Sequence, residues 1–276
     1  MKQKISSLSN LTQRIIAALI AVPVLIASIY YSEWSFFGLF LLIAILTQLE
    51  FYKLLKLDEN APLLIYGTFC GAILFTLSFL IETEKIHELS YYIISPLLTL
   101  IFFIKLYKKK DNKPFMNIAY TFLGIIYVAL PFALIVVLAF VNGNYSWQIV
   151  LGCLFLLWAS DTGAYFAGTK FGKTKLFERV SPKKSWEGLA GGFLAAMVVA
   201  YLLSINYSDI TSWKWFVIGA IIVIAGTFGD LVESLFKRSI QIKDSGSIIP
   251  GHGGFLDRFD GLLLSVPFII AFLKLF

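Results

Sequence analysis

The sequence predicts an all-α integral membrane protein, a polytopic helical bundle of about nine transmembrane helices with a polar active site on the cytoplasmic side. Two observations support this fold class. Hydrophobic residues make up 58% of the 276 residues and charged residues only 14%, whereas charged residues make up about 25% of an average soluble domain. In addition, apolar runs of about 20 residues, the length that crosses a bilayer, recur along the whole chain.

Nine apolar runs are long enough to be membrane spans. Their continuity favours helices, because the strands of a transmembrane barrel alternate in polarity over about ten residues. We expect residues 1–141 to form a scaffold and residues 142–276 to carry the chemistry. The predicted spans are 15–31, 34–50, 62–81, 91–107, 117–141, 147–168, 187–205, 213–233 and 262–276.

The basic residues indicate how these spans are oriented. With nine spans, every lysine and arginine except Lys85, Lys214 and Lys274 falls on the side of the N-terminus. Because cytoplasmic loops are enriched in basic residues, we expect a cytoplasmic N-terminus. The same rule accounts for the formal charge of +6, so no nucleic-acid partner is expected. We interpret the basic loop 105–115 as a topological anchor, with binding of anionic membrane lipids as the alternative.

Acidic side chains lie near the ends of two spans. Asp161 lies near the cytoplasmic end of the sixth span, in the segment WASDTGAY, and Asp230 and Glu233 lie at the cytoplasmic end of the eighth. A charge at bilayer depth costs about 3 kcal/mol on insertion scales, so each one is a functional candidate. The alternative is that these carboxylates only mark helix ends. Because both span ends are predicted on the cytoplasmic face, a shared site is possible.

The loop 169–187 has six basic residues, more than orientation requires. Within its segment SPKKSWEG, Ser185 is predicted to cap the helix of the seventh span. The N–H groups at that helix start, together with Lys183 and Lys184, would face an anionic ligand. A purely topological basic loop is the alternative.

A polar stretch, residues 234–260, separates the last two apolar runs. Asp257 and Asp260 are three residues apart and share a face if the last helix begins there. With Asp230 they offer the carboxylates that Mg²⁺ combines with water and substrate phosphate. Zinc is less suited, because a single histidine, His252, lies nearby and no usable cysteine does.

The glycines beside His252 predict a turn whose backbone amides approach an anion closely. His252 either stabilises this turn by a hydrogen bond or contacts a substrate phosphate. Carboxylates, basic side chains and glycine-rich turns on one face fit phosphoryl transfer, which depends on positioning and on neutralising phosphate charge. Spacing alone does not name the substrate.

Residues 234–260 resemble the signature of the phosphatidate cytidylyltransferase family, also called CDP-diacylglycerol synthases. The segments SDTGAY and SPKKSWEG are similar to further hallmarks of this family, so the resemblance covers about residues 150–276, and the first half resembles the family only as a series of spans. Every fixed position of the signature is met, by Ser234, Lys237, Arg238, Lys243, Asp244, Gly246, Pro250, His252, Gly253, Gly254, Asp257, Arg258 and Asp260.

The resemblance implies transfer of CMP from CTP to phosphatidic acid, giving CDP-diacylglycerol and pyrophosphate at the cytoplasmic face of the plasma (inner) membrane. It implies Mg²⁺, with a second cation such as K⁺ as an option, held by Asp230, Asp257 and Asp260. Lys237 and Arg238 would join these acids in catalysis. The residues expected to bind substrate are Asp161, Lys183, Lys184, Ser185, Ser234, Lys243, Asp244, His252, Gly253, Gly254 and Arg258.

Two alternative functions, a lipid kinase and a transporter, remain open at this point, and so does a homodimer. A CTP-dependent polyprenol or phytol kinase would need a base for its alcohol substrate, and the complete signature disfavours it. An ion-coupled transporter would relay ions through Asp161 and Asp230, but carriers place such charges near the midplane, whereas these acids cluster at one face. Glycines within 188–192 permit close helix packing within the chain or between two copies, which leaves a homodimer open.

Overall fold

The computed structural model describes residues 10–57, 60–242, 245–246 and 253–276, with side chains from residue 17 onward except residue 57. A 3-10 turn (Glu88–Ile93) precedes α4, and a π-helical turn (Ile125–Ala129) joins α5 to α6. In this part of the chain the elements are α1 (Asn10–Tyr31), α2 (Glu33–Leu57), α3 (Leu64–Glu82), α4 (Ile94–Leu106), α5 (Pro114–Gly124), α6 (Leu130–Ala139), α7 (Trp147–Phe171), β1 (Lys175–Phe177), β2 (Ser181–Ser185), α8 (Trp186–Asn206), α9 (Ser212–Ser239) and α10 (Leu256–Leu275).

The predicted all-α membrane fold is confirmed. Seven helical segments of the described chain have the length and apolar composition of a membrane span. The two remaining predicted spans are also helical. The apolar part of α1, Ala17–Tyr31, is shorter, and α10 carries Asp257, Arg258 and Asp260 near its start. Among the described residues, sheet is confined to the antiparallel hairpin of β1 and β2.

Contacts between connecting segments show that the helices alternate in direction. At one end, the Lys105 ammonium of α4 donates to the carbonyl of Ala61, between α2 and α3, at 2.6 Å. At the other end, Asn142 donates to the carbonyl of Asp209 at 2.6 Å, which joins the segments after α6 and α8. We call the first the basic end; α2, α4, α7 and α9 all finish there. The two ends match the two sides that the basic residues predict.

The fifth predicted span is interrupted by the π-helical turn. Here the N–H of Leu130 bonds to the carbonyl of Ile125, five residues earlier. Pro131 follows, and a proline lacks an N–H and crowds the carbonyl four residues before it, which is that of Tyr127. The wider turn relieves this crowding, and such turns are frequent at functional sites. Tyr127 therefore lies where the backbone is locally widened.

Small residues bring α7 and α8 into close contact. A Cβ atom added at Gly163 would lie 2.6 Å from both the Ala195 Cβ and the carbonyl oxygen of Gly191, and one added at Gly192 would lie 2.8 Å from the carbonyl oxygen of Ser160. The backbones approach because these positions lack side chains. The glycines of 188–192 thus serve packing within the chain, while a homodimer stays a prediction.

One hydrophobic core runs through both halves of the chain. It includes Phe36 and Phe75 from the first half and Leu154 and Leu263 from the second, all at most 2% exposed. The halves also touch through the rings of Phe132 on α6 and Phe259 on α10, whose centroids are 5.6 Å apart. The proposed division at residue 141 stays a prediction.

A buried ion pair holds the loop between α4 and α5. The Lys105 Nζ lies 2.5 Å from Asp111 Oδ2, and the two side chains are 1% and 2% exposed. Asp111 Oδ1 accepts hydrogen bonds from Asn117 Nδ2 at 2.6 Å and from the N–H of Lys113 at 3.1 Å. Burial acts to raise the pKa of Asp111, but the hydrogen bond from Lys105 and these further donors together hold the pKa below its usual value.

Asp111→Ala should destabilise the protein by about 3 kcal/mol, the lower end of the range for breaking a buried ion pair, because the Lys105 ammonium loses its counter-charge but keeps its hydrogen bond to the Ala61 carbonyl. Since the folded-state pKa of Asp111 is lowered, its contribution is complete above the ordinary value of about 3.9 and is lost as pH falls through the lowered value. Thermal unfolding of solubilised protein along a falling pH series should show this loss in the wild type and not in the variant. The exposed Glu178 provides the control substitution Glu178→Ala, and an unchanged midpoint for Asp111→Ala would contradict the prediction.

Candidate active site

Three carboxylates meet at the basic end, and we call them the acid group. Asp230 and Glu233 from the last part of α9 and Asp260 from the start of α10 each place an oxygen within 4.8 Å of the others. The two helices cross closely here, since a Cβ atom added at Gly229 would lie 2.6 Å from the carbonyl oxygen of Asp260. The missing side chain at Gly229 thus allows the acids on both helices to converge.

Asp230 is held by two neighbours. Lys184 Nζ lies 2.7 Å from Asp230 Oδ2 and also donates to the carbonyl of Thr227 at 3.3 Å. Ser234 Oγ donates to Asp230 Oδ1 at 3.1 Å. Lys184 lies on β2, one residue before the cap of α8, so the hairpin carries it to α9. The structure therefore brings together the predicted residues Lys184, Asp230 and Ser234.

Lys237 bridges two acids on different helices. Its Nζ lies 2.5 Å from Glu233 Oε2, one turn earlier on α9, and 2.6 Å from Asp257 Oδ1 on α10. The Lys237 side chain is 11% exposed and that of Glu233 is 1% exposed. The second oxygen of Glu233, Oε1, is buried without a hydrogen-bond partner among the described residues. Lys237 thus offsets the negative charges of Glu233 and Asp257, and it leaves Glu233 Oε1 available to bind a cation.

Asp257 lies outside the acid group. Its Oδ2 accepts hydrogen bonds from the N–H groups of Gly254 at 3.0 Å and Ser245 at 3.2 Å, while Oδ1 faces Lys237. Gly253, at φ +85°, takes a left-handed conformation that favours glycine and folds the chain over this carboxylate. The structure groups Glu233 with Asp230 and Asp260, where the sequence prediction groups Asp257. The role of Asp257 as a metal ligand stays a prediction.

Asp161 and the other predicted basic residues differ in exposure and in the partners they contact. Asp161 is exposed on α7 and interacts electrostatically with Asp230, Lys184 and Arg258. Arg258 and Lys183 are exposed. Arg238 Nη1 donates to the carbonyl of Ile242 at 3.2 Å, just beyond the end of its own helix. Its described contact is therefore with the backbone, and its catalytic role stays a prediction.

The predicted N-cap of α8 is confirmed, since Ser185 Oγ accepts the N–H of Gly188 at 3.1 Å. The N–H of Trp186 donates to the carbonyl of Thr174 at 3.0 Å. Two of the donors at this helix start therefore already have partners within the chain, and substrate binding by Ser185 stays a prediction. Lys243, Asp244 and His252 lie outside the described residues.

Glu50 was not predicted as a functional residue, and Glu233 was predicted as a candidate acid without being assigned to the cation or substrate site. Glu50, in the middle of the α2 segment TQLEFYK, is 3% exposed and accepts hydrogen bonds from the start of α10. An acid inside an apolar run is costly unless it is used, and this signal was present in the sequence. Its partners lie 195 to 206 residues later in the sequence, so only the fold reveals them.

Tyr127, on the π-helical turn, faces the same region. Its hydroxyl is buried without a hydrogen-bond partner among the described residues. It interacts electrostatically with all three members of the acid group, and its ring lies 5.8 Å from that of Phe51 on α2. The first half of the chain therefore contributes Glu50, Phe51 and Tyr127 to the surroundings of the site.

The acid group has the donors that a hard cation takes. Mg²⁺ is bound in proteins by one or two carboxylates, with water and substrate phosphates completing its shell. Asp230, Glu233 and Asp260 supply carboxylate oxygens close together, and Glu233 Oε1 is buried and unpaired among the described residues. Three converging carboxylates, with lysines on two of them, can hold a divalent ion.

Comparison with known proteins agrees with the signature. The chain matches the family described as "Cytidylyltransferase family" over residues 12–276. It is 32% identical to the phosphatidate cytidylyltransferase of Haemophilus influenzae over 283 residues, covering 95% of this chain and 98% of that protein. Identity to the phosphatidate cytidylyltransferase of Bacillus subtilis is 37% over 168 residues, 60% of this chain and 62% of that protein. The resemblance predicted from residues 234–260 is confirmed.

Proposed function

This chain belongs to the cytidylyltransferase family, and on that premise we propose that it transfers CMP from CTP to phosphatidate, forming CDP-diacylglycerol and pyrophosphate. The observation that carries the proposal is the acid group at the basic end, with Lys184 on Asp230 and Lys237 on Glu233. Carboxylates for a divalent cation beside lysines for phosphates are the equipment of phosphoryl transfer.

The reaction displaces pyrophosphate from the α-phosphorus of CTP. A phosphate oxygen of phosphatidate attacks that phosphorus, and its bond to the oxygen bridging to the β-phosphate breaks, so this oxygen leaves with pyrophosphate. A phosphate monoester has its second pKa at about 6, so phosphatidate is already ionised at neutral pH and no general base is required. The protein has to align the two phosphates and offset their charge.

The acid group would hold Mg²⁺ through Asp230, Glu233 and Asp260. When bound there, the cation neutralises charge on the transferred phosphoryl group and orients it. The chain supplies the carboxylates, and Lys237 keeps Glu233 and Asp257 from repelling each other. A second cation such as K⁺, and a share for Asp257, remain part of the proposal.

The exposure of the lysines separates their tasks. The side chains of Lys184 and Asp230 are 25% and 44% exposed, so both are accessible to a ligand from the basic end. Lys237, at 11% exposed, is bracketed by two acids. We therefore assign phosphate binding to Lys184, with the exposed Lys183 and Arg258 nearby in sequence or space. Lys237 is assigned to holding the acids in place.

The basic end would face the cytoplasm of a bacterial plasma membrane, with the N-terminus on the same side. The multi-pass fold and the bacterial relatives support this location, and the basic bias of the loops supports the orientation. Phosphatidate resides in the bilayer and CTP in the cytosol, so a polar site at the ends of helices is where the two substrates can meet.

The test is conversion of cytidine-labelled CTP by purified, solubilised protein with and without phosphatidate. We expect pyrophosphate release that depends on phosphatidate, with the cytidine label entering the lipid. If CDP and a phosphorylated polyprenol or phytol formed instead, a kinase would replace the proposal. If no lipid supported CTP turnover, the proposal would fail and the transporter would be reconsidered.

A further inference from the structure

The strongest feature outside the acid group is the buried carboxylate of Glu50. Its Oε1 accepts hydrogen bonds from Ser245 Oγ at 2.5 Å and from the N–H of Leu256 at 3.3 Å. Its Oε2 accepts the N–H of Phe255 at 3.0 Å. All three donors belong to the signature stretch, whereas Glu50 belongs to α2. One side chain of the first half thus holds three points of the catalytic half.

The contacts of Glu50 cap the start of α10, which has no capping side chain of its own. The residue that caps α10, Phe255, offers no side-chain acceptor to the first turn. The first N–H groups of a helix have no intrahelical partner and need one from elsewhere. Glu50 supplies it, and its negative charge lies at the positive end of the helix dipole, where a carboxylate is stabilised. Glu50 therefore acts as a cap delivered from another helix.

The glycines around Glu50 fit this arrangement. A Cβ atom added at Gly254 would overlap the Glu50 carboxylate and Ser245 Oγ, and one added at Gly246 would lie 3.3 Å from Glu50 Oε2. The amides of Gly254, Phe255 and Leu256 are therefore occupied by Asp257 and Glu50. At these positions the turn binds the protein's own carboxylates, which leaves phosphate to the basic side chains.

The start of α10 determines where its two acids lie. Asp257 follows Leu256 directly, and Asp260 comes about one turn later, where it joins Asp230 and Glu233. Any tilt or fraying of the first turn would move Asp260 away from the acid group. A displacement of about 1 Å at a catalytic group is enough to lower a rate a hundredfold.

We propose that Glu50 is a positioning residue, a clamp from the first half of the chain that fixes the start of α10 and thereby the acid group. The part of this proposal that concerns turnover rests on the proposed function. The part that concerns the clamp itself does not, because the order of the α10 start is measurable without substrate.

The test combines kinetics with hydrogen exchange on Glu50→Gln in the full-length solubilised protein. The variant keeps the size of the side chain but turns one acceptor into a donor that faces an N–H or the Ser245 hydroxyl. We expect the turnover number to fall about ten- to a hundredfold, with the KM for CTP near the wild-type value. Amide hydrogens of 253–260 should exchange faster, while those of α7 and α8 stay unchanged.

Gln48→Leu is the matched control. Gln48 is 1% exposed on the same helix, but its Nε2 donates to the carbonyl of Gly67 at 3.0 Å and to the Tyr52 hydroxyl at 3.2 Å, both within the first half. This substitution should lower thermal stability without faster exchange in 253–260. If Glu50→Gln does not fold, Ser245→Ala removes one of the three clamp contacts and should show the same two changes to a smaller degree.

Two results would overturn the proposal. One is wild-type exchange in 253–260 for a folded Glu50→Gln or Ser245→Ala protein. The other is loss of turnover in Gln48→Leu equal to that in Glu50→Gln at matched thermal stability. Failure of the wild-type protein to turn over CTP would defeat the proposed function instead, and the exchange experiment would still decide whether the clamp exists.

Discussion

Asp260→Asn is expected to lower turnover more than about a hundredfold, because even partners that only support metal ligands cost ten- to a hundredfold when removed. Asp260 lies in the acid group with Asp230 and Glu233, and an amide in its place removes a full negative charge from a cation site. The fold should survive, because the described hydrogen bond of the Asp260 carboxylate comes from the adjacent N–H of Gly261, and the asparagine side-chain oxygen can accept it as well.

The measurement has a second readout that is independent of turnover. A cation that binds the folded protein raises its thermal midpoint, so Mg²⁺ should protect the wild type against unfolding and protect Asp260→Asn much less. Glu88→Gln, at an exposed acid on the opposite end, is the control. Full turnover together with unchanged protection by Mg²⁺ in Asp260→Asn would rule out the acid group as the cation site.

Lys237→Met should have the largest effect on stability. Lys237 lies between Glu233 and Asp257 at 2.5 and 2.6 Å, with little exposure of any of the three side chains. Removing one partner of a buried ion pair leaves an uncompensated charge and costs about 3–5 kcal/mol. We expect a much lower thermal midpoint, measured in detergent by intrinsic fluorescence, and loss of turnover at temperatures where the wild type is active.

A second substitution separates this electrostatic effect from lost packing. Adding Glu233→Gln to Lys237→Met removes one of the stranded negative charges and should recover part of the thermal stability, although not the turnover. The exposed Lys53 on α2 gives the control, Lys53→Met, which should change the midpoint little. A double variant no more stable than Lys237→Met would contradict the role of Lys237 as a counter-ion.

Hydropathy and motif were sufficient for the outline of this molecule. Runs of apolar residues predicted the helices, because a backbone in hydrocarbon must satisfy its own hydrogen bonds. The cap by Ser185 was predictable from local chemistry, and the convergence of Asp230 with Asp260 was predicted once both were placed at the cytoplasmic ends of spans. These features depend on residues near one another in sequence or on a single rule for the whole membrane.

The partners of individual charges were not predictable in the same way. The sequence prediction assigned Asp257 to the cation site, whereas the crossing of α9 and α10 groups Glu233 with Asp230 and Asp260 and places Lys237 between Glu233 and Asp257. Glu50 was not among the predicted site residues, and its role is visible only where α2 packs against the start of α10. Apolar helix surfaces do not specify by hydropathy which neighbours they choose, so contacts between distant spans require the fold.

The close contact of α7 and α8 has a consequence for how this sequence can change over generations. At Gly163 the neighbours of an added methyl group are the Ala195 Cβ and the carbonyl oxygen of Gly191, so much of the obstacle is backbone. A smaller side chain on the partner helix cannot make room for a larger residue at this position, because a substitution does not remove backbone atoms. We therefore expect substitutions at the α7–α8 contact to be accepted more rarely in evolution than substitutions at the lipid-facing residues of α8. At residues such as Leu194 and Val198, one apolar side chain can replace another.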